Sequence, residues 1–93
     1  MIVSFASRET EMIWAGRRNR KLPGDIQPVA LRKLRMLNQA RVLSDLRIPP
    51  ANHLEALQGK RLGQHSIRIN DQWRICFVWS ETGASDVEIV DYH

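Results

Sequence analysis

His65-Ser66-Ile67-Arg68-Ile69-Asn70-Asp71-Gln72-Trp73-Arg74-Ile75-Cys76-Phe77-Val78-Trp79 alternates side-chain character on both sides of a polar break. Successive strand side chains point to opposite faces, so the pattern predicts two antiparallel strands joined by Asn70-Asp71-Gln72. The register follows from burial. A one-residue slip would turn one strand's whole apolar set outward, so Ile67, Ile69, Trp73, Ile75, Phe77 and Trp79 share the buried face. Directly opposed residues lie on one face, which pairs Ile69 with Trp73 and sets Arg68 opposite Arg74. Facing like charges cost about a few tenths of a kcal/mol. Such a pair either finds acids or serves an anion, and a phosphate satisfies two guanidiniums with forked hydrogen bonds that lysines do not offer.

Downstream, Asp86-Val87-Glu88-Ile89-Val90 reads as a strand that carries Asp91, Tyr92 and His93 to the rim of the sheet. Glu88 and Asp86 are the acids able to neutralise an arginine. Strict alternation puts Tyr92 on the face of Glu88, towards Arg68 and Arg74, and sends Asp91 and His93 to the other face unless the chain end twists. Upstream, Lys60-Arg61-Leu62-Gly63 is a basic loop flanked by glycines, His53 to Leu57 reads as a strand, and Ile48-Pro49-Pro50-Ala51-Asn52 as an extended connection. A helix is predicted from an Asp25 N-cap to about Leu43, with Pro28 in its first turn. Its buried stripe is Ile26, Ala30, Leu34 and Leu37, leaving Arg32, Lys33 and Arg35 on an exposed basic face. Before it come a strand over Met1 to Phe5, a weak helix from Ser7 to Gly16 and the basic loop Arg17 to Lys21.

These elements make a single α+β domain over residues 1–93, since a chain this short buries only roughly 60 to 70% of its unfolded surface in one modest core. Lys and Arg number 14 against 10 Asp and Glu, a net charge of +4 that favours a polyanionic partner such as nucleic acid. Cys76 is the only cysteine, so an internal disulfide is excluded, and its place in an apolar strand predicts a packed, reduced thiol. With Arg8 and Glu9 following the short apolar start, neither a signal peptide nor a membrane helix is expected, and the cytoplasm is the expected location. No His, Cys and Asp cluster has zinc-site spacing, and no cofactor is expected.

The run Leu57-x-Gly59-x-Arg61-x-Gly63-x-x-Ser66-Ile67-Arg68-Ile69-Asn70-x-x-Trp73-Arg74-Ile75-x-Phe77, with the terminal Asp91-Tyr92-His93 and the Met1-Ile2-x-Ser4-Phe5 start, resembles the HigB toxins of the RelE/ParE superfamily. The resemblance covers essentially the whole chain. It implies a RelE-like domain in which an N-terminal strand and two helices pack on a mostly antiparallel twisted sheet. The activity it implies is a ribosome-dependent messenger RNA endoribonuclease without a metal, the toxin of a type II toxin-antitoxin system. The partners it implies are the 70S ribosome, messenger RNA and a HigA-type helix-turn-helix antitoxin, which alone would contact operator DNA; no membrane is involved.

Carried over by position, Arg74 resembles the family's phosphate-contacting arginine, and Asp91, Tyr92 and His93 its terminal site residues. One departure is informative: Glu55 stands where well-studied HigB toxins have histidine, and Gln58 where they have lysine. Loss of an imidazole and a cation implies a weaker toxin. In this reading Arg74, Asp91, Tyr92, His93 and Glu55 form the catalytic set, while Arg68, Lys60, Arg61, Arg32 and Arg35 hold RNA backbone. Arg74 on a polar hairpin face is expected to be dispensable for folding. The alternatives are a ParE-type toxin acting on gyrase and a non-catalytic nucleic-acid or partner-binding module.

Overall fold

In a computed structural model that describes residues 1–92, the chain starts along one edge of a sheet rather than within it. The expected strand over Met1 to Phe5 is reduced to two isolated parallel bridges, Ile2 to Ala84 and Phe5 to Val87. The cause is local. Asp86, at φ 52°, lies where the neighbouring strand pairing jumps between Cys76 and Val78, and such a bulge breaks a continuous ladder. On either side of it the contact persists: Val3 N–H donates to the Ala84 carbonyl at 2.7 Å and Ala6 N–H to the Val87 carbonyl at 2.9 Å. At Gly83 (φ 123°) a Cβ would run into the Met1 carbonyl, so this close approach of two backbones requires glycine.

Helix α1 (Arg8–Trp14) begins as read, with the Ser7 hydroxyl accepting from the Thr10 N–H at 3.2 Å. Helix α2 (Gln27–Gln39) buries the stripe Ile26, Ala30, Leu34 and Leu37 almost completely. Its ends differ from expectation. Asp25 is inside a 3-10 turn, Gly24–Ile26, so the cap position falls to Ile26 with no side-chain cap. At the far end Ala40 turns extended (ψ 131°), and Leu43–Arg47 form a separate 3-10 turn. Lys33 is also corrected. It is buried rather than exposed, and its Nζ donates to Asn52 Oδ1 at 2.6 Å. Asn52 belongs to a 3-10 turn, Pro50–Asn52, where an extended connection was expected.

Four strands follow in the order of the chain, all antiparallel: β1 (Glu55–Ala56), β2 (His65–Arg68), β3 (Trp73–Ser80) and β4 (Gly83–Asp91). Strand β1 is shorter than expected because His53 takes a left-handed conformation (φ 44°, ψ 58°) that cannot join a ladder. The central hairpin has the register that its apolar alternation demands, with Ile67 opposite Ile75, Arg68 opposite Arg74, and the Ile69 N–H donating to the Trp73 carbonyl at 2.9 Å. Ile67, Ile69, Ile75, Phe77, Val87 and Ile89 meet Ile13, Ile26, Ala30, Leu34 and Leu37 in one core, with Trp73 and Trp79 half-buried at its margin. Both helices thus cover one face of the sheet. The other face carries Glu55, Ser66, Arg68, Arg74, Cys76, Glu88 and Val90, as the pairings dictate.

Candidate active site on the outer face of the sheet

Arg74 organises this face. Although opposite Arg68, it turns diagonally across the ladder and is only 9% exposed. Its Nε donates to Ser66 Oγ at 2.7 Å, and its Nη2 donates to the His53 carbonyl at 2.5 Å and more weakly to the Ser66 carbonyl at 3.4 Å. Glu55, half-exposed on the edge strand, brings Oε2 to 4.0 Å from the same Nη2. Arg68 turns the opposite way, to Asp71 in the hairpin loop. The two facing guanidiniums therefore diverge, and neither is neutralised by Glu88 or Asp86 as the sequence suggested. Glu88 instead holds Arg61 at 3.3 Å, while Asp86 is displaced onto the bulge.

Beneath these charges Cys76 is fully buried, and burial, the largest influence, pushes its thiol above the ordinary cysteine value. A neutral packed thiol is not a nucleophile at this site. Arg61 extends from a 3-10 turn, Gly59–Arg61, and shares its Nη1 with Gln64 Oε1 at 3.1 Å; Lys60 in the same turn is exposed. The chain end adds backbone geometry: Tyr92 N–H donates to the Gln72 carbonyl at 2.8 Å, which continues the β3–β4 ladder by one pair. Alternation from Val90, the partner of Arg74, then assigns Tyr92 to the outer face, and the residue is 42% exposed. Asp91 is opposite Trp73 on the other face and accepts from Gln72 Nε2 at 2.9 Å. His93 lies outside the described residues.

The fold therefore brings together Arg74, Glu55, Arg68 and Arg61, with Tyr92 one pair further along. It does not bring Asp91 onto their face. Arg32 and Arg35 are exposed on α2, across the core from Arg74, so the basic residues form two surfaces rather than one. Sequence reasoning missed Ser66 and the His53 carbonyl as the acceptors that fix Arg74. The register itself contained the first signal, because Ser66 is the diagonal neighbour of Arg74 on the same face. Among the described residues no group of three or more His, Cys, Asp or Glu side chains is arranged to hold a metal ion, and no helix is long and apolar enough to cross a membrane.

The chain is similar to known proteins along most of its length. Residues 4–93 match the family described as RelE-like toxin of type II toxin-antitoxin system HigB. The chain is 40% identical over 80 residues to Toxin HigB-1 of Vibrio cholerae serotype O1, spanning 85% of this chain and 84% of that protein. It is 37% identical over 67 residues to an uncharacterized protein of Haemophilus influenzae, spanning 72% of this chain and 66% of that one. Among solved structures, a chain of the YoeB-YefM complex from Staphylococcus aureus shares the fold, with a TM-score of 0.61 at 16% identity over 100% of this chain and 98% of that chain.

Proposed function

Because the chain belongs to the HigB-like family of RelE-like toxins of type II toxin-antitoxin systems, we propose that it cuts messenger RNA on the ribosome and so inhibits translation. The observation that carries this reading is a guanidinium, Arg74, fixed by Ser66 and His53 beside an exposed carboxylate, Glu55. RNA supplies its own nucleophile, the 2′-OH. The enzyme must stabilise a pentacovalent phosphorane, accept one proton and return another, and none of these steps calls for a metal. Arg74 stabilises the charge that develops on the phosphate, where a preorganised donor counts most. Glu55, Tyr92 and His93 orient or transfer protons, and Asp91 places a neighbour.

Arg68, Lys60 and Arg61 steer the RNA backbone near the scissile bond, while Arg32 and Arg35 on the far side engage ribosomal RNA phosphates. Such contacts position the protein without reading sequence. Glu55 already lies close to Arg74 and offsets part of its charge, in keeping with a weak toxin. A HigA-type helix-turn-helix antitoxin masks the activity and alone contacts operator DNA.

The test is to incubate the protein with programmed ribosomes and with the same messenger free in solution, then map new 5′ ends. Cleavage is expected on the ribosome and barely at all on naked RNA, because the ribosome supplies substrate orientation. Equal cleavage of both would overturn ribosome dependence, and ribosome binding without cleavage would identify a non-catalytic module. Gyrase-dependent DNA breaks would identify the ParE-type activity.

A further inference from the structure

Two locally unfavourable features converge on one carbonyl group. His53 adopts the left-handed conformation, which side chains with a Cβ rarely accept. Lys33 is 7% exposed, an expensive place for an ammonium group. They are connected: Lys33 Nζ donates to Asn52 Oδ1 at 2.6 Å, and Asn52 Nδ2 donates to the carbonyls of Leu46 at 3.1 Å and Ile48 at 3.4 Å. Asn52 is fully buried and immediately precedes His53. The product of this arrangement is the His53 carbonyl, held 2.5 Å from Arg74 Nη2. Ser66, also fully buried, meets the same guanidinium through Nε.

An arginine has five N–H donors in a rigid fork. With Nε and Nη2 engaged, Nη1 has no hydrogen-bond partner among the described residues, and the side chain keeps a 10% exposed fraction. We propose that Ser66, and His53 through its backbone carbonyl rather than its imidazole, are positioning residues that aim the Nη1 edge of Arg74 at the RNA phosphate, with Lys33 and Asn52 locking the turn that supplies the carbonyl. This rests on the reading of Arg74 as the phosphate-stabilising residue. It assigns His53, two residues before the vacated family position, a main-chain task, and explains how Glu55 can replace an imidazole without His53 replacing it in turn.

The experiment uses the full chain and follows the Arg74 Nε–H signal by nitrogen-edited NMR while a 2′-O-methylated, uncleavable RNA trinucleotide is added. Wild type should show a slowly exchanging Nε–H and bind the trinucleotide with a shift of that signal. Ser66→Ala should speed exchange and weaken trinucleotide binding by roughly ten- to a hundred-fold, the scale of a hydrogen bond to a charged group. At His53, whose side chain is exposed, glycine suits the left-handed backbone and valine opposes it. His53→Gly should therefore bind at least about ten-fold more tightly than His53→Val. Equal losses in the two His53 variants, or an unchanged Nε–H exchange rate in Ser66→Ala, would overturn the proposal. A slow Nε–H in wild type that ignores the trinucleotide would instead reject the phosphate-binding reading of Arg74 and with it the aim of the device.

Discussion

The two faces of the β2–β3 hairpin are made by alternate residues of the same strands, yet they are stabilised by different physics. On the helix side Ile67, Ile75 and Phe77 are wholly buried and need only apolar neighbours, which α2 supplies through Ala30, Leu34 and Leu37. On the outer side Ser66 and Cys76 are as fully hidden and Arg74 nearly so, but Ser66 and Arg74 require specific partners. Those partners are a left-handed carbonyl from before β1 and the diagonal serine of the neighbouring strand. An apolar face tolerates approximate neighbours, whereas a buried polar face must be satisfied bond by bond. That requirement makes the outer face suitable for holding one guanidinium in one orientation.

The contrast predicts different costs on the two faces. Phe77→Ala should lose about 3–5 kcal/mol of stability through a core cavity, lowering Tm by roughly 4–8 °C per kcal/mol for a domain of this size. Thermal unfolding measures it, and a loss confined to the scale of an exposed residue would mean that the helix-side core is not the principal source of stability. Next in size, Glu55→His combined with Gln58→Lys should raise single-turnover cleavage, by up to about a hundred-fold at the lower end of general acid-base contributions. An unchanged or lower rate would show that the outer face uses Glu55 in an arrangement of its own.

Legibility divides along the same line. The stripe Ile26, Ala30, Leu34 and Leu37 and the register that sets Arg68 against Arg74 were readable because apolar periodicity encodes them. Lys33, one residue from that stripe, was misread as exposed because its partner, Asn52, belongs to a Pro-containing turn with no periodic signal. The expectation that Arg74 is dispensable for folding needs the same correction: its removal strands the buried Ser66 hydroxyl and the His53 carbonyl, at about 1–3 kcal/mol for each acceptor left unpaired. The first strand was shortened by a bulge at Asp86, which belongs to β4 and leaves no mark on residues 1–5.

Smaller effects come from charges at the margins of the two faces. Burial, assisted by the charge of Arg32, depresses the Lys33 pKa. A depressed folded value means that this group's stability contribution is fully present above the ordinary lysine value and is lost as pH falls through the folded value. Wild type should therefore gain stability relative to Lys33→Met as pH rises between those two values, measured by urea unfolding at a series of pH values. A constant difference across that range would show Lys33 to be solvated. Smallest of all, Arg61→Ala breaks a half-exposed pair with Glu88 and should cost about 0–1 kcal/mol, less in high salt. A salt-insensitive loss beyond that range would make the pair part of the buried polar framework.

Whether the outer face holds Arg74 against a scissile phosphate is decided by single-turnover cleavage of messenger on programmed ribosomes by Arg74→Ala. The variant is assayed well below its own unfolding temperature, with near-native circular dichroism as the entry criterion. If Arg74 stabilises the phosphate, the rate falls by about a hundred- to a thousand-fold, the loss of one transition-state charge contact worth about 2.7–4 kcal/mol. A folded Arg74→Ala protein that cleaves at close to the wild-type rate would contradict it.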